Sequence, residues 1–397
     1  MSRFDLESVA VPGPSTYTAG QNLRVDIAGP GRVDAHKSSL LLPIEKVTSG
    51  NASDYLDSVV GTWEDMTLYL NNQAVMTIQQ FGLIMSAYVH KLKSAEWQNN
   101  EGVSRLGLDV KEYAVAGTDT DGTAIRIASW DVVRRHNIPL SYLGFMFKGG
   151  QIPCYNRLKW TVEIKLRSDA ESTVGGGTSG DTQPTYRYNI PTLRLHRVVS
   201  EAETASFNSQ FASGLELDVM YWSTLIKSAA QSAAFPVIDN TLNQRVDGQL
   251  VIQRLDSSIS GSAAKLAQSM TAFEHNGLTD FHVQYPSGQR MPRSGDFDVT
   301  KATGTYECYQ ALKDIKFDME EYLEPEHDRY LGCGPSINGL IANADGDFML
   351  AVRPQTREQG VASWNLTGTA AAACKIYVFS MSKAKLRIDS SGSTLLV

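Results

Sequence analysis

Between Leu158 and Leu166 the chain alternates without a break. Leu158, Trp160, Val162, Ile164 and Leu166 fall on one phase, and Lys159, Thr161, Glu163 and Lys165 on the other. Successive side chains of an extended chain point to opposite faces, so this run is a strand with one apolar and one polar face. Shorter runs of the same kind occur at Met66, Leu68 and Leu70, at Leu193 and Leu195, and at Leu215, Leu217, Val219 and Tyr221. Near the end come Ile376 and Val378, then Leu386 and Ile388. Turn chemistry separates such runs at Asp121-Gly122, Asp345-Gly346 and Ser391-Gly392, and the polar, Gly-rich tract 171–185 is expected as an exposed loop. Many short strands with polar turns and few helices indicate an all-β chain of sandwiches.

Helical spacing is rarer. Ile78, Phe81, Met85, Tyr88 and Leu92 recur at steps of three and four and predict a helix within 73–92. Leu266, Met270 and Phe273 predict a second within 262–275, and shorter pieces are expected at Ser206–Phe211 and Tyr306–Leu312. At 397 residues the chain suits two domains of about 200. Its halves echo each other in element order: a strand pair, a helix in an inter-strand excursion, then a closing pair of alternating strands. The first closing pair is 158–166 with 190–199, the second 374–382 with 383–392, and the seam is expected within 201–214. Residues 1–35, carrying Pro12, Pro14 and Pro30, are expected as an extended N-terminal arm, ahead of a first domain over 36–205 and a second over 206–397.

The residues offer little for chemistry. The seven histidines show no HExxH or paired spacing, and His196 sits at an outward phase of its strand. Cys154, Cys308, Cys333 and Cys374 form no CxxC pair, which argues against a zinc ribbon or a disulfide framework and suits a reducing compartment. Glu320, Glu321, Glu324 and Glu326 beside His327 are cation-ligand types, yet Pro325 interrupts them and the segment 318–328 reads as a solvated loop. The fragments 119–123 and 343–347 lack the distal Glu of a calcium loop, and 175–180 lacks the Lys of a phosphate cradle. No catalytic, cofactor-binding or metal residue is therefore assigned. Asn51-Ala52-Ser53 and Asn365-Leu366-Thr367 fit the glycosylation triplet, but no secretory signal accompanies them. Trp160, in phase with buried neighbours, is expected in the core. Charged residues make up only 20% against 42% hydrophobic, as in chains whose surface is partly covered by others. The net charge of −7 comes with no basic run, so no direct grip on nucleic acid is expected. Arg3, Asp5 and Glu7 interrupt the N-terminus as a signal peptide, and no stretch reaches the ~20 apolar residues of a membrane span.

The stretch 138–168 resembles the major capsid proteins of double-jelly-roll viruses, the group of adenovirus hexon, virophages, polinton-type viruses and tailless membrane-containing phages. It carries Ile138-Pro139-Leu140, an aromatic-rich turn from Phe145 to Phe147, Ile152-Pro153, and the long alternating strand. Residues 190–211 are similar to the last strand of such a first roll with its connecting helix, 215–222 to the start of the second, and 375–397 to the closing strands. The resemblance implies two tandem eight-stranded jelly rolls with helices in inter-strand excursions; this sequence departs from many relatives in its compact inter-strand loops, so tower-like insertions are expected to be absent or small. It further implies a non-enzymatic homotrimer with pseudo-hexameric outline that tiles an icosahedral virion. Neighbouring trimers and minor capsid or penton proteins would be its partners, in a DNA virus whose shell is made in the host cell without a signal peptide. The arm 1–35 would touch an internal membrane, a neighbour or a minor protein, or fold back on its own domain. A two-sandwich carbohydrate-binding or carbohydrate-active protein remains the alternative; it requires exposed aromatics and an inward carboxylate pair, which the strand phases do not supply.

Overall fold

In a computed structural model the chain is described at residues 2–47, 55–56, 59–87, 113–118, 124–127, 134–143, 150–155, 158–174, 185–256, 276–291, 297–298, 349–388 and 394–396. The first half contains β1 (Ser2–Ala10), β2 (Thr16–Thr18), β3 (Asn22–Ile27), β4 (Arg32–Asp34), β5 (Ser39–Lys46), β6 (Tyr55–Leu56), β7 (Trp63–Leu70) and β8 (Gln73–Ile78). After helix α1 (Phe81–Ala87) come β9 (Tyr113–Thr118), β10 (Ala124–Ile127), β11 (Arg134–Pro139), β12 (Gln151–Pro153), β13 (Trp160–Leu166), β14 (Thr173–Val174), β15 (Tyr186–Asn189) and β16 (Thr192–Ser200). Two layers face each other. One runs β3-β13-β7-β8, and the other runs β12-β4-β16-β5-β15-β2, with β1 beside β16 and β11 beside β5. The alternating run 158–166 supplies β13, and Trp160, Val162, Ile164 and Leu166 are buried as their phase requires. They meet Leu40, Leu42, Leu193 and Leu195 of the opposite layer in one core. The strands 158–166 and 190–199 therefore close the sandwich from opposite layers and do not pair with each other.

Two expectations are corrected here. Residues 1–35 are not an arm without a core: β3 lies in the four-stranded layer beside β13, and its Leu23, Val25 and Ile27 are buried. The prolines sit between strands, at 12, 14 and 30, so they punctuate short strands and do not dissolve them. The segment 73–92 is not one helix either, because Gln73–Ile78 is β8, paired with β7 through a turn at Asn71-Asn72. Both asparagines have positive φ, 48° and 67°, the backbone of a two-residue hairpin of primed type. Helix α1 begins only at Phe81 and is buried along its whole length. Tyr88, Leu92, the tract 175–184, and the candidate helices at 262–275 and 306–312 lie outside the described residues.

Helix α2 (Glu201–Ser213) connects the halves. Ser200 caps its start by accepting from the Glu203 amide, and Gly214, at φ 97°, ends it. The second half contains β17 (Leu215–Ala229), β18 (Ile238–Leu255), β19 (Leu278–Gln284), β20 (Arg290–Met291), β21 (Phe297–Asp298), β22 (Met349–Val352), β23 (Glu358–Gly368), β24 (Cys374–Ile388) and β25 (Thr394–Leu396). The expected closing pair at 374–392 is a correction of detail: 374–388 is one continuous strand, paired with all of β17. All these strands share one hydrogen-bonded set in the order β17-β24-β18-β23-β19-β20, with β22 beside β18.

A single set makes two layers because β18 turns a corner. Its first part pairs with β23, and its second part lies between β22 and β24, with register shifts near Val246. A straight strand from Asn240 to Gln249 would run about 30 Å. Yet the Asn240 and Gln249 amides both donate to the same Ser380 Oγ, at 2.8 and 2.9 Å. The two parts of β18 therefore face each other across the second core. The Tyr285 hydroxyl, just past β19, donates to Gln249 Oε1 at 3.1 Å and ties the layers again. All four side chains are buried. Ser380→Ala strips both amides of their acceptor and is expected to cost about 2 kcal/mol. A denaturant midpoint equal to that of the parent protein would contradict this reading of the network.

Candidate assembly surfaces

The surface between the two sandwiches is built from β24 and its neighbours. Along β24, Ala384, Leu386 and Ile388 are buried while Lys383, Lys385 and Arg387 are exposed, the mark of a half-buried strand. Earlier in the strand both phases are buried, from Ile376 to Ser382. The extra cover is the first sandwich: Thr224, paired opposite Phe379, donates its hydroxyl to the Gln79 carbonyl at 2.8 Å. Tyr377 and Phe379 stack at 6.3 Å on this face. Burial first, then opposed by Arg254 and by Arg167 of the first sandwich, raises the Tyr377 hydroxyl above its ordinary value. Arg167 itself is almost fully buried and donates to Glu171 at 2.7 Å, to Gln80 Oε1 at 2.9 Å and to the Trp63 carbonyl at 3.2 Å. One polar knot thus fixes β7, the turn before α1 and the residues after β13 beside the second sandwich.

The α2 connection has its own anchor. Phe207 and Phe211 are its buried residues, and Phe207 packs on Tyr155 at 4.7 Å. Glu203 accepts from Arg32 at 3.0 Å and from the Tyr155 hydroxyl at 2.8 Å. The Arg32 hydrogen bond, followed by that of Tyr155, lowers the Glu203 carboxyl below its ordinary 4.5. A depressed carboxyl contributes stability that is complete above the unfolded value and lost as pH falls through the folded one. Glu203→Gln is therefore expected to flatten the acid limb of a stability-versus-pH curve below about pH 4.5. Parent and variant curves with identical acid limbs would contradict the assignment.

On the outside, large apolar side chains are exposed at several places, Val47, Ile190 and Ile226 singly and others in two groups. Phe4 and Leu6 of β1 are 78% and 70% exposed, and Val9 is 39%. On the β18–β23 layer, Val237 and Val361 are 58% and 50% exposed. A cleft of about 370 Å³ opens beside β1 between Phe4, Leu6, Arg32, Lys37, His196 and Val198, and a smaller one of about 130 Å³ lies on its other face by Val9, Asp26, Leu195 and Arg197. Arg197 is buried and donates to Glu7 at 2.7 Å and to the Ala28 carbonyl, which locks β1 to β16 and the β3 end.

Three titratable groups near these surfaces are shifted toward their neutral forms. Burial pushes the Cys154 thiol up to about 11 against the opposing pull of Arg197. Burial and then Glu203 push Tyr155 up to about 12, and burial lowers His282. Among the described residues no group of three or more His, Cys, Asp or Glu is placed to hold a metal ion. The segments 119–123, 318–328 and 343–347 lie outside the described residues. His196 is exposed and Trp160 is buried, each at its expected phase, while Asn365 is half-buried on β23.

No protein-family model matches the sequence, and no curated protein matches it. Solved structures do match. A chain of the Sputnik virophage superposes with a TM-score of 0.61 at 9% identity, over 100% of this chain and 88% of that one. The fold is the double jelly roll of viral major capsid proteins. A chain of the PBCV-1 virus capsid gives 0.57 at 12% identity, over 100% and 97%. The mavirus major capsid protein gives 0.55 at 10% identity, over 98% and 91%. The double jelly roll thus extends through both halves of the chain, and at such identity the likeness is one of fold. Reasoning from the sequence missed β1 as a paired strand with exposed aromatic and aliphatic residues. Phe4, Leu6 and Val9 were its only signal, two of them on one phase.

Proposed function

We propose that this chain is the major capsid protein of a double-jelly-roll virus. It acts as a homotrimer whose six sandwiches give a pseudo-hexagonal building block for an icosahedral shell. One observation carries the reading: both sandwiches together, over nearly the whole chain, match structures whose names are those of virus capsids and major capsid proteins. The role is structural, not enzymatic, and the protein resides in the virion. The charge supports a shell that does not grip its genome, since −7 with no basic run leaves nothing to displace counterions from phosphate. A cyclic trimer uses unlike faces that close on themselves, and Val237 and Val361, exposed on the β18–β23 layer, are material for such contacts. Obligate interfaces of this kind bury about 2,000–5,000 Å². Neighbouring trimers and minor capsid or penton proteins complete the list of partners. Among the described residues no helix is long and apolar enough to cross a membrane, and β1 is laid against β16, so contact with neighbours is favoured over contact with lipid for the N-terminal segment.

The test is the mass of the purified protein by light scattering after sizing. Three chains per particle, or shells, is the expected result. A stable monomer that binds oligosaccharides would favour the carbohydrate reading and overturn this one.

A further inference from the structure

We propose that the outer edge of β1 pairs with the β1 edge of a second copy of this chain, antiparallel about a twofold axis, and so joins one trimer to the next. The proposal rests on the trimer reading for the words "one trimer to the next"; the edge contact itself stands on the strand. Among the described strands β1 hydrogen-bonds only to β16, along all of Ser2–Ala10, so its other side is a full-length sheet edge. Open edges of this length are ordinarily shortened, bulged, covered or studded with lysine, because they template pairing with other chains. Among the described residues no strand covers this edge and no bulge bends it: β1 holds register with β16 from Ser2 to Ala10 without a shift, its charges Arg3, Asp5 and Glu7 are of both signs with no lysine, and it exposes Phe4 and Leu6 on one face.

The occupant is named by the sequence of the edge. Two copies of one strand paired about a dyad must place residues of like parity opposite each other, so only a few registers exist. Centred on Asp5, the register sets Phe4 opposite Leu6 twice and Arg3 opposite Glu7 twice, with Ser2 opposite Ser8 outside them. Apolar pairs and pairs of opposite charge are the stabilising cross-strand combinations. Glu7 remains 44% exposed while bound to Arg197 and is open to a second cation. Centred on Leu6, the register would set Asp5 opposite Glu7 twice, a repulsive pairing. Centred on Phe4, it would pair Arg3 with Asp5 twice but leave Leu6 opposite Ser2 and end the ladder at Leu6, with Glu7 to Ala10 unpaired. The Asp5 register has one unfavourable pair, Asp5 with its own copy at the dyad. A ring of three cannot supply this contact, because its faces are unlike, whereas the contacts between rings can be twofold.

That dyad makes position 5 the probe. Directly opposite Cβ atoms lie about 4.5–5.5 Å apart, near the span of a disulfide. Full-length Asp5→Cys protein, concentrated to assembling conditions and oxidised, is expected to give disulfide-linked pairs of chains well above the level of the parent protein. Ala10→Cys, which has no partner in this register, is expected to stay at the parent level. Adding Leu6→Lys to Asp5→Cys is expected to cut the linked fraction by about tenfold. No linkage through position 5, or equal linkage through position 10, overturns the proposal. Light scattering on the same samples separates the two readings: trimers without linkage refute the edge pairing alone, and linked pairs of otherwise monomeric chains keep the pairing and refute the trimer.

Discussion

Trp160→Asp is expected to yield no soluble trimer. The indole is fully buried on β13 between Ile27 of β3 and Leu70 of β7, and its Nε1 donates to the Pro153 carbonyl at 2.6 Å. Truncating a buried Trp costs about 3–5 kcal/mol, and a carboxylate left in that dry site adds several more or must stay protonated. The total rivals the whole stability of a domain, about 5–15 kcal/mol. The first sandwich then fails to form, and with it the partner surface of β24. Trp160→Phe is the control: it keeps the apolar contact, leaves the Pro153 carbonyl without its donor, and is expected to cost about 1–3 kcal/mol while still folding. Soluble yield and light scattering read both. An Asp variant that assembles normally would mean that the phase assigned to β13 is wrong.

Arg167→Ala is expected to lower the stability of the first sandwich by about 3–4 kcal/mol. The guanidinium is 1% exposed and holds Glu171, Gln80 and the Trp63 carbonyl together. Removing it leaves a carboxylate and two further acceptors without a donor. Glu171, at 27% exposure, recovers some hydration and keeps the loss near the lower end of the range. Arg167→Lys preserves the charge but loses the planar fork that reaches three acceptors, and is expected to fall between. Chemical denaturation measures all three proteins. A midpoint unchanged in Arg167→Ala would remove the knot from the account of what holds the first sandwich together.

Much of the architecture was legible because half-buried strands announce themselves. The run 158–166 alternates over its full length, and so do Leu193 and Leu195, since each faces a core on one side and water on the other. Legibility failed where that condition failed. Ile376–Ser382 is covered on both faces, so β24 reads as two pieces with Ser380 and Ser382 as a polar break, when both serines are in fact buried. At 73–92 the step from Ile78 to Phe81 is shared by a strand end and a helix start, and it mimics one helical face. The overlooked cue was Asn71-Asn72, whose side chains tolerate the left-handed backbone a tight hairpin needs. In 1–35 the prolines mark connections between short strands, and the brief alternation of Leu23, Val25 and Ile27 was the better guide. The Asn240–Ser380–Gln249–Tyr285 network had no local signature, because its members meet only after β18 turns its corner. Likewise Phe4 and Leu6 look unremarkable in sequence, and stand out as an exposed apolar pair only once β16 fixes the face of β1.

Rotational symmetry of the purified oligomer, seen by electron microscopy of single particles, bears most directly on the claim that two tandem sandwiches exist to be tiled. Threefold particles of six-sided outline are the expected result. Fivefold rings, or a population of single compact bodies at every concentration, would contradict it.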